Sequence, residues 1–156
     1  MMADDLIDMA SLLIGTSGIR PKQANLKRAV STAYYALFHA LSHNCVESLI
    51  GWGTRSDHYW ELVSPVYRLN DHGHAKTAFK EIARDRSSSQ ALIQISSSFA
   101  ELQEQRLLAD YDPKPHFDMR STRQLIERAR DAIQEVRALS SEARRLLAVQ
   151  LTTKPR

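Results

Sequence analysis

The sequence predicts an all-α protein, an up-and-down bundle of four to five helices. In each long segment the apolar residues recur at helical spacing. The five glycines and five prolines fall mostly between those segments. At 156 residues, with 43% hydrophobic and 25% charged content, the chain is long enough for one domain with a real core. We place that domain at 1–149 and read 150–156 as a frayed C-terminal tail.

The first helix is expected from Asp4 to Ile14. Leu6, Met9, Ala10 and Leu13 share its apolar face, and Asp4 and Asp5 suit the positive end of the helix dipole. Gly15 to Gly18 reads as a turn, and Pro21 suits the first turn of the next helix. That helix runs from Lys22 to about Leu49 and is apolar nearly all round. Leu26, Val30, Ala33, Leu37 and Leu41 form one stripe, with Tyr34, Phe38 and Cys45 beside it. Ala29, Ala33, Ala36 and Ala40 form a second strip, small enough for another helix to approach closely. Arg28, Tyr35 and His39 make a narrow polar line flanked by Ser31, Thr32 and Ser42. A helix of this kind is buried centrally or shared with a second subunit. Its polar line either points into a cleft or edges the surface.

Gly51 to Thr54 reads as a loop, and Ser56 or Asp57 is placed to cap a third helix ending near Leu69. Trp60, Val63, Val66 and Tyr67 are expected inside, and Pro65 to kink the helix or break it in two. Asp71-His-Gly-His74 reads as a polar turn. Two histidines two residues apart suggest metal binding, but further ligands are lacking nearby, so no metal site is assigned. A short helix then carries Phe79 and Ile82 from Ala75 to Arg84. The next, from about Ser89 to Tyr111, has Leu92, Ile95, Phe99 and Leu102 on its buried face. The last is expected to start at Asp118 or Ser121 and run unbroken to about Val149. Ile126, Ala129, Ile133, Val136, Ala143 and Leu147 form its core face. Arg123, Arg130, Arg137 and Arg144, spaced by sevens, flank that face. Such a line either reaches RNA phosphates or an acidic partner, or is solvated and salt-bridged.

Bulk properties exclude several classes. One cysteine, Cys45, permits no intrachain disulfide and fits a reducing, cytoplasmic setting. In its apolar surroundings it reads as a small core residue. The acidic start MMADDLIDMA is not a signal peptide, and no stretch approaches the roughly 20 apolar residues of a membrane span. A net charge of +3 is compatible with an RNA partner without demanding one. There is no phosphate-binding glycine loop, no CxxC and no GxSxG, and no cofactor is expected.

The strongest local anomaly is Phe99 to Pro113, FAELQEQRLLADYDP. Continuing the stripe Leu92, Ile95, Phe99, Leu102 at about 100° per residue brings Arg106, Ala109 and Asp110 onto the core face. A charge there needs a partner, and Asp110, four residues on, is the nearest candidate. Pro113 and Pro115 then end the helix. Charge on a core face beside a helix end is either a structural ion pair or a functional site. The candidate functional groups are Arg106, Asp110 and Tyr111 here, with Ser31, Tyr35 and His39 on the second helix. Arginine stabilises a phosphorane-like charge, and histidine or tyrosine moves protons. This is a kit for metal-independent RNA cleavage through the 2′-hydroxyl.

Two stretches carry a resemblance. KRAVSTAYYALFH, Lys27 to His39, resembles the second-helix signature of the HEPN family (higher eukaryotes and prokaryotes nucleotide-binding). LQEQRLLADYDP, Leu102 to Pro113, resembles the arginine-bearing helix end of one HEPN branch. The helix order agrees, so the resemblance spans Asp4 to Leu147. It implies a HEPN-like α-bundle that dimerises with the motif arginine in a cleft at the dimer interface. It also implies a toxin- or defence-type ribonuclease, paired with a minimal nucleotidyltransferase as antitoxin. The resemblance matches Arg106 to the motif arginine; with the residues read above, the catalytic candidates are Arg106, Asp110, Tyr111 and His39, and the RNA-binding candidates Arg28, Tyr35, Arg123 and Arg130. The family's usual motif places a histidine a few residues after the arginine, and here it is absent. Tyr111, His116 and His39 are the candidates to replace it. Alternatively the protein is a non-catalytic helical partner, or a nucleotide-binding module, of such a nucleotidyltransferase.

Overall fold

The computed structural model describes residues 1–15, 20–51 and 58–154, all of them helical or connecting. Among the described residues seven helices follow in order: α1 (Met2–Leu13), α2 (Gln23–Leu49), α3 (Tyr59–Leu69), α4 (His72–Arg84), α5 (Gln90–Tyr111), α6 (Met119–Ala138) and α7 (Ser141–Thr152). The all-α class expected from periodicity is what the structure has. The helix number is higher than the four to five expected. The proposed caps Ser56 and Asp57, most of the Gly15–Gly18 turn and most of the Gly51–Thr54 loop lie outside the described residues.

The long second helix is the centre of the molecule. It packs against α1, α3, α5, α6 and α7. Val30, Tyr34, Leu37 and Leu41 are wholly buried, as is most of the small-residue strip of Ala29, Ala33 and Ala36. Cys45 is also buried there, and burial pushes its thiol up to about 12, so it is an inert core residue. Phe99, Leu102 and Ile95 of α5, Ile126 and Ile133 of α6, and Leu147 and Leu151 of α7 close around it in one core. A satellite of Val46, Tyr59 and Val63 holds α3 against the end of α2.

Four boundaries or faces differ from expectation. The buried face of α1 is Ala3, Ile7, Ala10 and Ile14, whereas Met9 is 51% exposed. The apolar residues cover most of this short helix, so periodicity left its orientation open. In α3, Tyr59 takes the inward place expected for Trp60, which is exposed, and Pro65 sits inside one continuous helix. Helix α4 starts three residues earlier than expected, because the Asp71 carboxylate accepts from the His74 backbone N–H at 2.7 Å and caps it. His72, Gly73 and His74 are therefore its first turn and not a loop. The last helix is two. Leu139 turns the chain to extended backbone, and Ser140 Oγ accepts from the Ala143 N–H to start α7. Helix α7 runs to Thr152 with Leu151 buried, so 150–152 belong to the packed domain. The start of α6 combines both expected caps, with Asp118 at the N-cap and Ser121 bonding back to it.

The rotated face of α1 gives a stability test. Truncating Ile7 to Ala is expected to cost about 2–5 kcal/mol, while Met9→Ala stays within about 0.5 kcal/mol. Urea denaturation of the two variants measures the difference, and equal losses would restore the face read from sequence.

Candidate functional site

Two tyrosines in succession on α2 divide the work of the site. Tyr34 faces inward and is fully buried, and Tyr35 stands at the edge of the core. Helix α5 runs alongside, and Arg106 comes off its buried stripe where the sequence pattern places it. The Arg106 side chain is only 13% exposed. Its Nη2 donates to the Tyr35 hydroxyl at 2.8 Å. Its Nε lies 2.9 Å from Asp110 Oδ2 without hydrogen-bond alignment, so this contact is held chiefly by charge. The guanidinium carbon also sits 5.5 Å from the Tyr34 ring centre and 5.4 Å from that of Tyr35, a cation–π arrangement with both. Burial works against the charge, yet Tyr35, Asp110 and Tyr34 together hold the Arg106 pKa above the ordinary arginine value.

The α4 cap brings a second group to the same place. His72 Nδ1 is 2.6 Å from the Tyr34 hydroxyl. The imidazole lies over the Phe38 ring, with centroids 4.1 Å apart, and edge-on to Tyr35 at 5.7 Å. Gln103 Nε2 of α5 donates to the His72 carbonyl at 3.0 Å and ties α4 to α5. Burial, and then the charge of Arg106, hold the His72 pKa below the ordinary imidazole value. Burial also raises the Tyr34 phenol well above its usual range, so it stays protonated. One turn along α2, His39 Nδ1 hydrogen-bonds the Tyr67 hydroxyl of α3. Burial depresses its pKa too.

The expected site residues therefore separate. Arg106, Asp110 and Tyr35 form one cluster. His39 is on the same helix but bonded to Tyr67. Tyr111 is 74% exposed. His116 pairs with Asp112 at 2.9 Å, at a helix end tied down by Lys27, which donates to the Asp112 carbonyl. Gln23 secures the same segment through reciprocal bonds to the Phe117 backbone at 2.8 and 3.1 Å. Arg28 is exposed two turns before Tyr35 on α2, and Ser31 is buried. On α6, Arg123 is exposed and Arg130 is paired with Glu127. The sevenfold arginine line is not one stripe. Arg137 makes a bidentate pair with Asp4 at 2.9 Å, and Arg144, on a different helix, bonds Glu47 and Asn44.

Sequence reasoning missed His72, Tyr34 and Gln103 as members of the Arg106 cluster. The signal for His72 was the capping aspartate before it, hidden by the turn-like residues DHGH. Its ring faces Tyr34, while His74 Nε2 bonds the Gln150 carbonyl at 3.0 Å, so the two histidines serve different partners. Among the described residues no cluster of three or more His, Cys, Asp or Glu side chains is placed to hold a metal ion. No helix among them is long and apolar enough to cross a membrane. No family model, no curated protein and no solved structure matches the chain.

A pH dependence follows from the buried histidines. His39, His43 and His72 all have folded pKa values below 6.5, chiefly from burial. The unfolded chain then binds more protons just below 6.5, so stability falls as pH drops through that range. Unfolding free energy by urea is expected to decrease from about pH 7.5 to about pH 5.5, with His39→Gln removing part of the slope. A flat profile would contradict the burial of these rings.

Proposed function

We propose that this protein is a HEPN-like, toxin- or defence-type protein that acts on RNA as a homodimer, with Arg106 at the centre of a metal-independent ribonuclease site. One observation carries the reading. A guanidinium is held on a core face by Tyr35, Asp110 and two aromatic rings, at a helix end and beside an imidazole. A fixed arginine with donors to spare suits the negative charge that builds on phosphorus when a 2′-hydroxyl attacks. In that reaction the 2′-oxygen forms a bond to phosphorus, the 5′-oxygen leaves, and a cyclic phosphate results. The 2′-proton passes to a base, and the 5′-oxygen receives one. His39, kept neutral by burial, is the candidate base from the sequence pattern.

A second reading is a non-catalytic partner, or nucleotide-binding module, of a minimal nucleotidyltransferase. It is favoured by Tyr111, which replaces the motif histidine and stands open to solvent, with exposed Leu107 one turn before it.

RNA turnover decides between them. Purified wild type, with chelator present, is expected to cleave RNA and leave 2′,3′-cyclic ends. Arg106→Ala is expected to reduce the rate by about 10²–10³, the scale for losing one charge-stabilising donor. Arg106→Lys, which preserves charge but not the fork, controls for folding and is expected to lose most of the activity. Wild type that leaves RNA intact, while binding a nucleotidyltransferase encoded beside it, would establish the second reading instead.

A further inference from the structure

The Tyr34 hydroxyl is wholly buried and must be bonded. Its closest partner is His72 Nδ1, at 2.6 Å, and the Gln103 side chain also reaches it. With the phenol as donor, Nδ1 accepts and the ring proton of neutral His72 sits on Nε2. The imidazole is fixed from three sides, by Tyr34 at Nδ1, by the Phe38 ring on its face and by Gln103 at its backbone carbonyl. Nε2 makes no hydrogen bond among the described residues, and His72 is only partly buried.

Arg106 is placed in the same way. Tyr35 takes Nη2, Asp110 pairs with the guanidinium by charge near Nε, and Nη1 makes no hydrogen bond among the described residues. The guanidinium and the imidazole flank the same two phenol rings. The Tyr34 and Tyr35 centroids lie 5.5 and 5.4 Å from the Arg106 guanidinium carbon, and 5.5 and 5.7 Å from the His72 ring. Two donors, one charged and one neutral, thus lie in one aromatic cluster, close enough for the charge of Arg106 to act on His72. Asp110 pairs with Arg106 and the charge of Asp71 acts on His72, and neither carboxylate bonds Nη1 or Nε2.

We propose that His72 Nε2–H and Arg106 Nη1–H together form a subsite for one phosphodiester group, with Tyr34 as the residue that sets the His72 tautomer. The proposal deepens the RNA reading above and rests on it for the identity of the ligand. It gives His72 a substrate-binding role as a neutral donor to a phosphoryl oxygen. Charged hydrogen bonds of this kind hold donor and acceptor at about 2.7–2.9 Å and are roughly twice as strong as neutral ones. Glutamine reproduces a donor at the place of Nε2, and phenylalanine keeps the ring stack without any donor.

The test titrates the ¹⁵N-labelled full chain with two probes, a 2′-deoxy dinucleoside monophosphate that cannot be cleaved and inorganic phosphate. The expected result is a shift of the His72 Nε2 resonance on adding the dinucleotide, with affinity about tenfold weaker in His72→Phe and largely recovered in His72→Gln. Inorganic phosphate producing the same shift would make the subsite a general anion site and still support the two-donor geometry. Because His72→Phe strands the Tyr34 hydroxyl, the double variant Tyr34→Phe/His72→Phe is measured beside it and should show the same weakening. No Nε2 shift with either probe, or wild-type affinity in both phenylalanine variants, overturns the proposal. RNA turnover by wild type, with KM unchanged in His72→Phe, would overturn it while leaving the ribonuclease reading intact. Dinucleotide binding through His72 without RNA turnover would keep the subsite and remove the ribonuclease reading.

Discussion

The constraint behind the whole structure is that α2 is buried along most of its middle, from Ala29 to Val46. A helix with five helical neighbours leaves the polar residues on its covered faces little water, and several of them find partners on other elements. The partners are specific. Tyr34 takes His72 of α4, Tyr35 takes Arg106 of α5, His39 takes Tyr67 of α3, Ser42 takes Asn70, and Asn44 takes Arg144 of α7. These polar contacts fix how the surrounding helices are turned around α2, a specification that a purely apolar helix could not supply. The candidate site is one segment of this row of obligatory pairs, the segment where the row reaches the edge of the core.

At that edge the row holds a charge. Tyr35 alone could not neutralise a guanidinium at this depth, and Asp110 alone could not orient it. With both, plus two ring faces, Arg106 stays ionised despite its burial. Asp110 lies one turn further along the same helix, so the pair forms as soon as α5 does. Tyr35 is added when α5 docks on α2. The arginine is therefore locally balanced and globally positioned. Such a group resists rearrangement, which suits a donor aimed at a developing charge.

Much of this was legible in the sequence, for identifiable reasons. The interior helices α2 and α5 carry apolar stripes long enough to define their buried faces, so Leu102 and Arg106 could be placed by arithmetic alone. The i, i+4 pairing of Arg106 with Asp110 follows from helix geometry. Tyr35 could be listed as a candidate but not paired, because helix-to-helix register is set by the packing of many side chains at once. Short helices defeated the same reasoning. Twelve residues of α1 offer two rival faces, and its true one depends on how it lies across α2. The break at Leu139 was hidden because Ala143 and Leu147 continue the apolar spacing beyond it. His72 was hidden because glycine and histidine after aspartate read equally well as a turn or as a capped first turn. An N-cap shows itself only when the carboxylate is seen accepting from the third backbone N–H.

The basic character of the chain is no guide to where an anion would bind. Several of its arginines are already committed to carboxylates, Arg137 to Asp4, Arg144 to Glu47, Arg128 to Glu101 and Arg130 to Glu127. Most of these pairs are open to solvent and screened by salt, so they contribute little field at a distance. Even Arg106 faces a carboxylate. Under the proposed reading, affinity for a phosphate at this place would come from short-range donors held in fixed directions in a partly buried setting. A neutral imidazole is well suited to that task. It adds a directed N–H without adding a second positive charge next to the guanidinium, which would be costly to bury. The depressed pKa of His72 and the pairing of Arg106 with Asp110 thus share one physical cause, the cost of burying a charge in a helical bundle.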